Sequence, residues 1–157
     1  MSDVDLPRPR LLLVHHAAAV GPKEDSMQPL SLMGRAWADV AALDAAARGA
    51  RPSVIWHSGK LRARQTAEAF WRSCNPLAQF TAERGLQPGD PPQWIADRLL
   101  AEDGDVLLAG HMPHLARLLR LLVASGPHAP GLEFPGHAVI ALDRRDERWS
   151  EVWRIVP

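Results

Sequence analysis

The sequence predicts an α/β protein of three layers (α/β/α): a mainly parallel sheet with helices on both faces and an antiparallel contribution near the C-terminus. Three observations predict it. Leu11-Leu12-Leu13-Val14, Val54-Ile55-Trp56 and Val106-Leu107-Leu108-Ala109 are continuous apolar runs, as strands buried on both faces are. Helix-like segments separate them, and alternation of strand with helix implies parallel pairing through helical crossovers. The tail breaks this pattern with two β-prone stretches joined by a charged turn.

Pro7 and Pro9 mark an extended leader over residues 1–9, and the first strand follows. Gly21, Pro22 and Pro29 make residues 17–30 a loop. Ser31 reads as the N-cap of an alanine-rich helix running to position 48 and closed by Gly49. The second strand follows Pro52, and residues 60–73 read as a helix with Leu61, Ala67 and Phe70 facing inward. A weaker strand surrounds Phe80. Three prolines and two glycines make residues 85–92 a loop, and a short helix covers 94–101. After the strand at 106–109, Pro113 opens a leucine-rich helix over 114–123. Residues 126–136 read as another loop. The final pair of strands covers 138–142 and 149–156, with the turn at 143–148. With no repeat or linker in view, residues 1–157 are expected to form a single domain.

Apolar residues make up 46% of the chain, charged residues 23%, and the formal net charge is zero. A neutral chain has no general field to collect nucleic acid or an anionic membrane. The lone Cys74 has no internal disulfide partner and reads as a packing residue. The apolar run at 11–14 is too short for a signal or membrane segment. A cytoplasmic, soluble protein is expected, with no nucleic-acid or membrane partner.

Functional groups of an open parallel sheet gather at the carboxyl ends of its strands. Three ends are chemically loaded here. The first strand runs into His15-His16-Ala17, and the second into His57-Ser58-Gly59-Lys60-Leu61-Arg62-Ala63-Arg64-Gln65-Thr66-Ala67. The strand at 106–109 runs into Gly110-His111-Met112-Pro113-His114. One histidine at a strand end is ordinary; histidines and an arginine at three ends of one edge suggest an anion site. The histidines lack a carboxylate or cysteine partner at ligand spacing, so no metal or cofactor is expected.

These segments resemble the histidine phosphatase superfamily, and its SixA-type phosphohistidine phosphatase branch in particular. The strand ending in His15-His16-Ala17 is similar to the family's Arg-His-Gly or Arg-His-Ala opening. Pro29-Leu30-Ser31 through Gly34 resembles the segment leading into the first helix. Ser58 with Leu61-Arg62-Ala63-Arg64-Gln65-Thr66-Ala67 resembles the Ser-Pro…Leu-Arg-Ala-x-Gln-Thr stretch. Leu86-Gln87-Pro88-Gly89-Asp90 resembles the loop before the third helix, and Gly110-His111-Met112-Pro113 the Gly-His-x-Pro block. The resemblance covers about residues 10–142. It implies that His16 is the phosphate-accepting nucleophile, with Arg62 and His111 completing the catalytic set. It further implies phosphate binding by His15, His16, Arg62 and His111.

Phosphoryl transfer needs an in-line nucleophile and donors on the equatorial oxygens. A neutral imidazole is a competent nucleophile near pH 7 and forms a phosphohistidine. Because strand side chains alternate, only one of His15 and His16 is expected to aim at the phosphorus, and the family pattern selects His16. His15 stands where the family has arginine. Its protonated form is expected to grip phosphate, giving an activity maximum in a narrow, mildly acidic window. Ala18, Gln28 and Gly59 also depart from the family pattern. Glu83 is nearby in the order of the chain and reads as a surface residue. Lys60 and Arg64 read as surface charges. His114 reads equally as a phosphate contact or a helix cap, His57 as a space-filler, and His137 is assigned no role.

The expected activity is hydrolysis of phosphohistidine on a protein, or of a related small phosphorylated substrate, through an intermediate on His16. The alternative is a catalytically weak protein of the same fold that binds a phosphorylated partner. A phosphomutase fits less well, since the chain is short and no leaving-group acid stands out.

Overall fold

The computed structural model describes residues 9–123 and 133–157. Almost all of the expected leader, His128 and most of the loop expected at 126–136 lie outside the described residues. In chain order the elements are β1 (Leu11–His15), α1 (Leu32–Ala47), β2 (Val54–His57), α2 (Leu61–Cys74), β3 (Gln79–Ala82) and α3 (Pro92–Ala101). β4 (Val106–Gly110), α4 (His114–Leu122), β5 (Val139–Arg145) and β6 (Arg148–Ile155) follow. They form one sheet of order β3-β2-β4-β1-β5-β6. β1 to β4 pair in parallel, while β5 and β6 run antiparallel. The expected fold class holds.

Strand alternation divides the core. Leu12, Val14, Ile55, Leu107 and Ala109 face α1 and α2, while Leu11, Leu13, Trp56, Val106 and Leu108 face α3 and α4. Apolar residues on both sides explain why these strands read as unbroken runs. Cys74 is buried in the first cluster, and burial pushes its thiol up to about 11, so it is an inert packing residue.

Two elements differ in extent from the sequence expectation. α3 begins at Pro92, ahead of position 94, because proline lacks only an N–H that the first helical turn leaves unpaired. The terminal strands extend into the stretch expected as a turn, leaving Asp146 and Glu147 to reverse the chain at φ 50° and 66°. Two successive left-handed residues suit the right-handed twist of a hairpin. Charges at 143–145 lie past the end of the pairing with β1 at Leu142, and Arg148 lies on the edge strand β6, so both stretches are tolerated.

The start of α1 clamps the loop that leaves β1. Ser31 Oγ accepts from the Gly34 amide at 3.0 Å and donates to the Ala18 carbonyl at 3.2 Å; the Ser31 amide donates to the same carbonyl at 2.9 Å. A side chain on Gly34 would place its Cβ against that carbonyl oxygen. Gly34→Ala is therefore expected to push the loop and helix apart, at about 1–3 kcal/mol of stability. Urea unfolding measures the cost; an unchanged midpoint would show that the loop yields freely.

Candidate active site

The strand order sets β2, β4 and β1 side by side, so their carboxyl ends meet at one edge. There His15 is level with Gly110, and the His16 amide donates to the Gly110 carbonyl at 3.1 Å. β5 runs against β1, so the chain enters it at this edge: the His15 amide donates to the Ala138 carbonyl at 3.1 Å. Antiparallel pairing thus delivers His137 beside His15 and His16. Ring centroids lie 4.5 Å apart for His15–His16, 5.1 Å for His16–His111 and 4.8 Å for His15–His137, the last pair parallel within 1°. The two successive histidines are not parted to opposite faces as strand alternation predicts. β1 ends at His15, so His16 lies just beyond the paired strand.

Hydrogen bonds to backbone groups fix what three of these rings present. A carbonyl only accepts, so the 2.8 Å contact between His16 Nδ1 and the Ala17 carbonyl puts the proton of neutral His16 on Nδ1. Its Nε2 then carries the lone pair, as a nucleophile requires. His137 likewise donates from Nδ1 to the His16 carbonyl at 2.6 Å. His15 is the reverse: its Nδ1 accepts the His137 amide at 2.7 Å, so its neutral ring bears the proton on Nε2.

Arg62 enters from the first turn of α2. Its charge helps depress His15, His16 and His111, and its guanidinium makes no hydrogen bond or ion pair with a described residue. The same helix holds the loop that follows His16. Buried Thr66 accepts the Ala17 amide at 3.0 Å and donates to the Arg62 carbonyl at 2.8 Å; Gln65 accepts the Leu30 amide at 2.8 Å. Ser58 Oγ lies 2.7 Å from His111 Nε2, leaving His111 Nδ1 as the other polar ring atom. Gln87 secures this turn by donating to the Ser58 carbonyl at 2.7 Å. Gly59 follows at φ 91°, a conformation closed to the proline that the family pattern places there.

Burial, above all, lowers the affinity of these rings for a second proton. It pushes His15 down to about 3, with His16, His137 and Arg62 adding to the effect. His111 is also pushed down to about 3, by burial and then by His16, Arg62 and Lys60. His16 is lowered by burial, against the raising effect of the Ala17 carbonyl. The expectation that a protonated His15 grips phosphate is therefore corrected. His15 and His111 are both neutral near pH 7, and the fixed tautomer makes His15 a donor without charge.

Other candidates stand elsewhere. His57 accepts the Gly59 amide at 3.0 Å and packs on Phe80, so it locks a turn. His114 is fully buried at the start of α4, and its side chain does not cap the helix. Arg64 pairs with Glu68 on the surface, and Glu83 pairs with Arg98. Lys60 is exposed, yet its charge reaches His16 and His111, which its sequence position did not reveal. Sequence reasoning also missed His137, Thr66 and Gln65. The Gln-Thr pair after Arg62 carried a signal; His137 carried none before the direction of β5 was known.

His15, His16 and His137 bring one ring nitrogen each within 4.8 Å of the others, a spacing a metal ion could use. Their hydrogen bonds fit a cation poorly. His15 Nδ1 is taken by an amide and its Nε2 holds the proton, so only His16 and His137 offer a free lone pair. With Arg62 beside them, the donor set suits an anion.

Among the described residues no helix is long and apolar enough to cross a membrane. No protein-family model matches the sequence, and no curated protein matches it. Solved structures do. An Agrobacterium tumefaciens protein assigned as the phosphohistidine phosphatase SixA superposes with a TM-score of 0.76 at 25% identity, covering 96% of this chain and 99% of that one. A protein histidine phosphatase SixA solved with tungstate gives 0.80 at 21% identity, over 93% and 96%. A Nakamurella multipartitia protein with the same SixA assignment gives 0.67 at 26% identity, over 84% and 82%. The structural neighbours of this chain are SixA phosphohistidine phosphatases and related histidine phosphatase superfamily members, and its fold is theirs.

Proposed function

We propose, from the histidine phosphatase fold and the four-histidine pocket at its sheet edge, that this protein hydrolyses phosphohistidine through a covalent intermediate on His16. The observation that carries the reading is the His16 Nδ1–H bond to the Ala17 carbonyl, which leaves Nε2 as a neutral nucleophile. Nε2 attacks the phosphorus in line with the leaving group. Arg62, the Nε2–H of His15 and His111 take the equatorial oxygens, where negative charge concentrates. Water then hydrolyses the phosphohistidine. Arg62 supplies the charge and the neutral histidines supply direction, so no metal or cofactor has a part in these steps.

The substrate is a phosphorylated protein or a related small phosphorylated compound, met in the cytoplasm. A phosphoramidate suits a pocket in which no carboxylate among the described residues bonds to His15, His16, His111 or His137, because its nitrogen leaving group protonates easily. One observation favours the alternative of a binder without turnover: His15 is neutral where the family pattern has a fixed cation.

A phosphohistidine peptide decides between them. The enzyme reading expects release of inorganic phosphate; binding without release would establish the binder. The pH profile follows from the shifts. His16 attacks as the neutral base, and its depressed proton affinity keeps it neutral below the ordinary imidazole value of 6.5. With a generic aryl phosphate, kcat/KM corrected for substrate ionisation is expected to hold to below pH 6.5 before falling. A maximum confined to mildly acidic pH would show that a charged histidine is required as well as a neutral one.

A further inference from the structure

We propose that His137 is the acid–base residue of this pocket, protonating the leaving atom and then accepting the proton of the attacking water. The inference rests on the phosphatase reading above. Every polar group of His137 except Nε2 is held by the fold. Its amide donates to His15 Nδ1 at 2.7 Å, its carbonyl accepts Trp37 Nε1–H at 2.9 Å, and its Nδ1–H donates to the His16 carbonyl at 2.6 Å. Nε2 makes no hydrogen bond with a described residue. A ring nitrogen of His137 lies within 4.8 Å of ring nitrogens of both His15 and His16, a span that one phosphoryl group fills.

The backbone supports a role for this side chain. His137 sits at φ 59°, a left-handed conformation that disfavours any side chain by roughly 1–2 kcal/mol relative to glycine. A position that would be easier for glycine carries an imidazole instead, stacked on the neutral ring of His15.

The proton balance closes. His16 Nε2 forms its bond to phosphorus while the bond from phosphorus to the leaving oxygen or nitrogen breaks. The electron pair of that bond takes the Nε2 proton of charged His137, releasing a neutral alcohol or amine. Neutral His137 then receives a proton from the water that attacks the phosphohistidine. Inorganic phosphate departs and the charged ring is restored.

The test compares leaving groups. 4-Nitrophenyl phosphate expels a weakly basic phenolate, whereas phenyl phosphate expels a much more basic one that needs the proton. His137→Asn keeps a residue that tolerates the left-handed backbone, and His137→Gly serves as the second variant if the first does not fold. Both substrates lose kcat/KM, and the loss for phenyl phosphate is expected to be roughly tenfold or more the larger. Equal losses, as a purely structural disturbance would produce, overturn the proposal; so does no loss on either substrate. If the unaltered protein hydrolyses neither, and His16→Ala behaves identically, the phosphatase reading itself has failed and this proposal with it.

Discussion

His16→Ala is expected to abolish turnover, lowering kcat by about three orders of magnitude or more with any phosphorylated substrate. In the proposed mechanism His16 forms the covalent bond, and neither His111 nor His15 offers a ready substitute. His111 has Nε2 tied to Ser58 at 2.7 Å, and His15 has its lone pair on an Nδ1 taken by the His137 amide. Removing a nucleophile costs about as much as dismantling the whole catalytic unit, because the remaining groups act only through it. The same experiment locates the chemistry. Brief exposure to a fast phosphoryl donor, followed by peptide mapping, is expected to label His16 and to label nothing in the His16→Ala protein. Label on His15, or label that survives the substitution, would overturn the assignment.

Arg62→Ala is expected to lower kcat by about 10²–10³-fold, the loss seen when one oxyanion-stabilising donor is removed. Arg62→Lys should recover only part of it, since an ammonium lacks the planar fork that matches two phosphate oxygens. Stability should move little, within about 0.5 kcal/mol, because the guanidinium makes no hydrogen bond or ion pair with a described residue. A third consequence follows from electrostatics. Arg62 is among the causes that depress His15, His16 and His111, so its removal raises their proton affinity. The acidic limb of the alanine variant's profile is therefore expected at higher pH than in the unaltered protein. A large stability loss with a small rate effect would make Arg62 structural instead.

The charge on His15 shows how a single residue changes meaning between sequence and structure. As a histidine in an arginine's place it invited a pH argument, because an isolated imidazole titrates near neutrality. In the folded protein it is half-buried between His16 and His137; loss of solvent disfavours its charged form, and each of those rings adds to the effect. What survives is geometry: a neutral N–H pointed by an amide in the turn that enters β5, more than a hundred residues downstream.

The sequence by itself determined the layers, the strand ends and which residues are candidates to bind an anion there. Continuous apolar runs such as Leu11-Leu12-Leu13-Val14 encode burial on both faces, and burial on both faces requires helices above and below. His16, Arg62 and His111 each follow or flank such an element closely, so local pattern suffices to place them at its end. Only the tertiary structure decided which neighbours they meet and in which protonation state. Nothing within reach of residue 137 along the chain marks it, and its role depends on β5 running against β1. The tautomers of His15, His16 and His137 depend on single backbone groups 1 to 122 positions away. Hydrogen bonds and burial are properties of packed space, and no periodicity along the chain records them.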